Sequence, residues 1–194
     1  MSNGELRYFT YCELMTAVND VDFKPEASPF ELFEIEPLYT LDWNVIERRK
    51  ALFQKTLHPD FYPVNSSEYE IASKKLALVN NAYAILKDPI RRAKALFSIA
   101  DITIPGENGK TINDPKMMEE ALSLKESLEV ATIDNDFDNL FKTLAKQQKI
   151  LEDSFNAAFL ENNEHNMKET YIRLSFCIKT LADAKALRFE NMEN

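Results

Sequence analysis

Leu57-His58-Pro59-Asp60-Phe61-Tyr62-Pro63-Val64-Asn65-Ser66-Ser67 separates two strongly helical segments, and its reading decides the fold. Pro59 has no backbone N–H to donate and disfavours the α conformation at the residue before it. A helix running through Leu57 must therefore stop at His58. Pro63 breaks the chain again, and Ser66 or Ser67 can cap the next helix. His58, Pro59 and Asp60 are expected in an exposed loop between two helices.

The helices on either side support this. The preceding one opens at Asp42 or Trp43 and buries Val45, Ile46, Leu52, Phe53 and Leu57 on one face. Its other face carries Arg48, Arg49, Lys50 and Lys55, a basic cluster in a chain whose formal net charge is −9. The following helix runs from about Glu68 to Leu86. Tyr69, Ala72, Leu76, Val79, Tyr83 and Leu86 recur in steps of three and four, the pattern of a packing seam. Antiparallel packing of the two would hold His58-Pro59-Asp60 at the tip of a helical hairpin.

The other segments read outward from this hairpin. Upstream, Ser28-Pro29-Phe30-Glu31 is an N-cap, a first-turn proline and a capping-box glutamate, opening a short helix that Pro37 ends. Residues 1–27 have no sustained period and read as an extension of unassigned role. Downstream, Asp88-Pro89 restarts a helix whose apolar side is Ile90, Ala93, Leu96 and Phe97. Residues 101–113 hold Pro105, Gly106 and Gly109 and read as a linker. Asp114-Pro115 caps a helix to about Ala131. Two longer helices follow, with seams Phe137–Leu140–Phe141–Leu144–Gln148–Leu151–Phe155–Ala158–Phe159 and Met167–Tyr171–Leu174–Ile178–Leu181. One seam on each of three helices predicts a three-helix bundle over residues 114–191.

Composition narrows the function. Hydrophobic residues make up 45 % and charged residues 28 %, with only 3 glycines, which fits an all-α globular chain. The acidic balance argues against a nucleic-acid partner. No apolar run is long enough for a membrane span, and the acidic N-terminus fits neither a secretory signal nor a transit peptide, so a cytoplasmic location is expected. Cys12, Cys177, His58 and His165 do not have the spacing of a four-ligand zinc site, and the cysteines read as free thiols. No metal and no cofactor are expected.

A basic helix, His-Pro-Asp in a loop, an antiparallel helix containing Asn80-Asn81-Ala82-Tyr83-Ala84-Ile85-Leu86, and then Asp88-Pro89-Ile90-Arg91-Arg92-Ala93 together resemble a J domain, over residues 28–100. The bundle, opening with Met117-Met118-Glu119-Glu120-Ala121-Leu122-Ser123-Leu124-Lys125-Glu126, resembles the C-terminal domain of the HscB/Jac family, the J-type co-chaperones of iron–sulfur cluster assembly. The resemblance implies two domains in an L-shaped arrangement. It implies a co-chaperone, not an enzyme, that stimulates ATP hydrolysis by a heat-shock ATPase chaperone of the HscA/DnaK type and delivers an IscU-type iron–sulfur scaffold protein to it.

The resemblance assigns chaperone binding to His58, Pro59 and Asp60 with Arg48, Arg49, Lys50 and Lys55, and scaffold binding to Met118, Leu122, Glu126 and Phe176. Charge chemistry suits the first set. An exposed carboxylate can take a bidentate arginine, the proline stiffens its loop, and surrounding cations steer the encounter. For the second set, Met117, Ala121, Leu124, Leu128 and Ala131 already complete a seam. Met118 and Leu122 form an extra apolar stripe continued by Glu126, while Ile172 and Phe176 fall off the last helix's seam, a surplus suited to a protein partner. The sequence departs from the family at Phe61, where a basic residue is usual, and at Glu119 and Ser123. Three alternatives stand beside this reading: a J-domain co-chaperone for a different client, an enzyme using His58 and Asp60 as an acid–base or metal pair, and a purely structural coiled-coil role, which would leave the exposed tripeptide without a purpose.

Overall fold

The computed structural model describes residues 23–24, 26–106 and 114–193. The expected N-terminal extension lies outside them apart from Phe23, Lys24, Glu26 and Ala27; so do Cys12 and residues 107–113 of the linker. Among the described residues the chain is all-helical: α1 Pro29–Leu32, α2 Trp43–Thr56, α3 Ser67–Lys87, α4 Pro89–Ile99, α5 Pro115–Ile133, α6 Phe137–Leu160 and α7 Glu164–Glu193. A 3-10 turn, Pro59–Phe61, lies between α2 and α3. The chain folds as two compact units. One comprises residues up to Pro37 and Leu41–Arg91; the other comprises Leu38–Thr40 and everything from Arg92 on.

In the first unit the capping chemistry read from sequence sets the helix starts. Ser28 Oγ accepts from Glu31 N–H (3.2 Å) while Glu31 Oε2 accepts from Ser28 N–H (2.7 Å), closing a capping box. These bonds, the backbone one first, hold the Glu31 carboxyl below its ordinary range. Contrary to the expected stop at Pro37, α1 is a single turn, because Glu34 adopts a left-handed φ of 45° and reverses the chain. Asp42 caps α2 through bonds to the N–H groups of Asn44 (2.9 Å) and Val45 (3.4 Å). Ser66 caps α3 through Tyr69 N–H at 3.1 Å.

Between these helices Phe30, Phe33, Ile46, Phe53, Leu57, Ala72, Val79, Ala82 and Leu86 are buried. The Phe33 and Phe53 rings meet edge-to-face at 5.8 Å. The hairpin is antiparallel: near the start of α2 Glu47 accepts a 2.5 Å bond from the hydroxyl of Tyr83, near the end of α3. That bond pushes the Tyr83 phenol above its usual pKa. Arg49 holds α1 in place. Its guanidinium donates to the Phe33 carbonyl at the end of that helix and pairs with Glu34 at 3.0 Å.

In the second unit α5, α6 and α7 form a three-helix bundle, with α6 and α7 the most closely packed pair. Ala131, Phe137, Leu140, Leu144, Cys177 and Ala184 form one buried cluster, flanked by Leu124, Leu128, Phe141, Leu151, Leu181 and Leu187. On α7 the true seam departs from the expected one. Cys177 and Ala184 are fully buried, whereas Ile178 is only half-buried: with Met167 and Leu174, Cys177 and Ala184 space the buried face by three and seven residues, one position before the expected Ile178. Phe155 anchors a further aromatic group, with Tyr39 at 4.9 Å and Phe97 at 5.6 Å, and Phe97 in turn meets Tyr171 at 5.4 Å. Asn156 Oδ1 accepts from the N–H groups of Tyr39 (3.1 Å) and Thr40 (3.2 Å), pinning that short segment. Arg92, only 6 % exposed, lays its guanidinium 4.4 Å from the Tyr39 ring centre.

Two outcomes follow from this packing. Arg49→Ala removes a charge-assisted bond to a helix-end carbonyl and lowers stability by about 1 kcal/mol, read as a drop in the urea midpoint, whereas Arg48→Ala on the exposed side changes it by less than about 0.5 kcal/mol. Burial, then the charge of Glu152, raises the Cys177 thiol pKa. Its folded value lies above the unfolded one, so below about pH 9 the thiol adds no pH dependence. Above that the unfolded chain loses its proton first and the bundle weakens. Cys177→Ala makes the alkaline fall in stability shallower, as urea unfolding between about pH 7 and about pH 10 would measure.

Candidate functional site

The tripeptide is more ordered than an exposed loop. His58 caps the 3-10 turn: its Nδ1 accepts from Asp60 N–H at 3.3 Å and lies 3.5 Å from the Asp60 carboxylate. Phe61 N–H donates to His58 O at 3.1 Å and Tyr62 N–H to Pro59 O at 2.9 Å, so the turn is closed by its own backbone. Pro59 at the first position supplies the fixed φ this turn needs. The turn packs against α3. The result is a rigid platform on which 82 % of the Asp60 side chain and 48 % of the His58 side chain face solvent.

The basic face of α2 is divided. Arg49 is held by Phe33 and Glu34, and Lys50 Nζ sits 3.5 Å from the centre of the Tyr83 ring. Arg48 and Lys55 are exposed on the surface. All four residues lie on the helix that leads into the turn, yet two of them already serve the fold. Periodicity alone does not reveal this, since it takes no account of which carbonyl or ring a cation meets.

In the bundle, Met118 and Leu122 are 61 % and 56 % exposed on α5, and Glu126 is exposed one turn further along. The buried face of the same helix is held by Met117 and Ala131. Phe176 on α7 is half-buried. One turn before it, Arg173 forms an ion pair with Glu120 of α5: Nη2 donates to Oε1 at 3.2 Å, Nε lies 2.8 Å from Oε2 without hydrogen-bond geometry, and Nη2 also meets Glu169 at 2.8 Å. That ion pair links α5 to α7. Ile172 differs from expectation. It is 9 % exposed and counts among the buried residues, so of the two only Phe176 is left half-buried on α7. Sequence reading also passed over Val130 and Ile133, 56 % and 82 % exposed near the other end of α5.

Among the described residues no three His, Cys, Asp or Glu side chains are grouped to hold a metal ion, and no helix is long and apolar enough to cross a membrane. His58 belongs to the first unit, while His165 lies in the first turn of α7, 3.6 Å from Glu169.

No protein-family model matches the chain. A co-chaperone protein HscB homolog of Vibrio vulnificus (strain YJ016) is 38 % identical over 101 residues, covering 52 % of this chain and 58 % of that protein. Its counterpart in Vibrio cholerae (strain M66-2) is 35 % identical over 104 residues, 53 % of this chain and 60 % of that one. The chain thus spans less than two thirds of the length of these curated relatives. Among solved structures, the chaperone HscB from Vibrio cholerae superposes with a TM-score of 0.69 at 24 % identity, over 84 % of this chain and 99 % of that one. The human co-chaperone protein HscB superposes with a TM-score of 0.75 at 24 % identity, over 84 % and 83 %. The chain is HscB-like in sequence across about half of its length and in fold across most of it.

Proposed function

We propose that this chain is a J-type co-chaperone of iron–sulfur cluster assembly. In this reading residues 28–100 act as the J domain, docking on an ATP-loaded heat-shock ATPase chaperone of the HscA/DnaK type and stimulating its ATP hydrolysis. The bundle, residues 114–191, carries an IscU-type scaffold protein to that chaperone, in the cytoplasm. The observation that carries the proposal is the presentation of Asp60. Its carboxylate is exposed on a closed, proline-stiffened turn between two antiparallel helices.

The geometry supplies a mechanism without making the chain an enzyme. A carboxylate held on a rigid turn engages a partner arginine in two parallel bonds, and little entropy is lost because the turn is preformed. His58 Nδ1 accepts the Asp60 N–H and so fixes the backbone from which that carboxylate projects. Arg48 and Lys55 steer an acidic partner surface, a contribution that ionic strength weakens. The ATP chemistry belongs to the chaperone. On the bundle, Met118 and Leu122 offer adaptable apolar contact, Phe176 an aromatic anchor and Glu126 a polar rim.

Single-turnover ATP hydrolysis by a purified chaperone tests this. Wild-type protein accelerates hydrolysis, and the scaffold raises the acceleration further. Stimulation indifferent to the scaffold would favour a different client. Asp60→Asn abolishes stimulation while circular dichroism and scaffold affinity stay at wild-type values; retained stimulation would defeat the J-domain assignment. Replacing Met118, Leu122 and Phe176 together by Ala weakens scaffold binding by roughly 2–4 kcal/mol in calorimetry. Because two of the three are exposed, the bundle stays folded; an unfolded triple variant would identify them as core.

A further inference from the structure

Phe61 is 66 % exposed, and its place is fixed by the same turn that presents Asp60. Its backbone N–H bonds to the His58 carbonyl at 3.1 Å, and its ring meets the His58 imidazole edge-on with centroids 6.0 Å apart. A lone exposed hydrophobic residue is ordinary on a protein surface. Phe61 is not placed at random: it directly follows the exposed carboxylate and lies against the His58 ring that caps the same turn. The basic charge of α2 is partly offset, since Arg49 pairs with Glu34. An encounter at this turn has less long-range attraction to draw on and an aromatic ring to bury.

We infer that Phe61 is a specificity-determining contact for the partner chaperone, seating its ring in an apolar recess beside the group that takes Asp60. The inference rests on the chaperone-docking reading above and adds the chemistry of the partner surface. Aspartate fixes the register through directed bonds, and the phenyl ring supplies affinity by leaving water. Such docking is less sensitive to salt than docking through a cation at the same place, since apolar burial is not screened.

The test titrates a purified DnaK-type chaperone loaded with ATP with wild type, F61A, F61L, F61K and D60N, at about 50 mM and about 300 mM salt. F61A raises the half-saturating concentration about tenfold at both salts, the loss expected for an aromatic side chain left unburied, with the maximal rate unchanged. F61L recovers part of the loss, and F61K falls behind wild type as salt increases. Wild-type behaviour of F61A at both salts, with D60N inactive, would overturn the Phe61 contact and leave the J-domain reading intact. A lowered urea midpoint for F61A would also overturn it, by making the ring a packing residue. Stimulation retained by D60N would overturn the docking reading and this inference with it.

Discussion

A missing backbone N–H at position 59 sets the constraint on which the first unit depends. With Pro59 in place α2 cannot continue, so the chain closes a 3-10 turn on the His58 carbonyl and leaves in a new direction. The reversal lets α3 return along α2, which brings Tyr83 to Glu47 and Lys50 and completes a buried seam from Ile46 to Leu86. One stereochemical restriction thus builds the hairpin and puts a carboxylate at its turn. Substituting the proline would relax both at once, so fold and display cannot be tuned separately here.

Electrostatics in this unit is more local than the acidic composition suggests. Arg49 satisfies a carbonyl left open at a helix end, and Lys50 covers an aromatic ring, so each cation relieves a specific strain on the fold. The bundle follows the same economy. The Arg173–Glu120 ion pair links two helices, α5 and α7, by one hydrogen bond and a second close charge contact. Apolar side chains stay exposed where packing demands are already met, as at Met118 and Leu122 on α5, whose buried face holds Met117.

Much of the helical layout was legible because local chemistry dictates it. Prolines and N-caps at Ser28, Asp42, Ser66, Asp88 and Asp114 mark helix starts with i→i+2 and i→i+3 bonds that need no tertiary partner. The packing was less legible wherever two faces compete. Cys177 takes the place of Ile178 in the α7 core and Ile172 is buried, because adjacent apolar residues leave two faces open to a reading by spacing alone. For the candidate site, the exposure of Asp60, Met118 and Leu122 followed from the pattern of their neighbours. The engagement of Arg49 and Lys50 did not, since their partners at Phe33, Glu34 and Tyr83 are distant in sequence. Tyr39 was invisible for the same reason: its partners are Arg92, Phe155 and Asn156.

That last contact has a consequence for the order of events during synthesis. Tyr39 and Asn156 are 117 residues apart, so the bond between them closes a very long loop. At a ribosome adding ~5–20 residues per second, Asn156 is made roughly 6–23 s after Tyr39. The hairpin around the proline turn uses nearer contacts and has time to form in that interval. The segment Leu38–Thr40 must wait, its backbone donors still hydrated, until the second long helix of the bundle appears. Completion of the bundle thereby comes only after Asn156 has been made, and a nascent chain stalled before Asn156 would carry a finished hairpin and an unclaimed tyrosine.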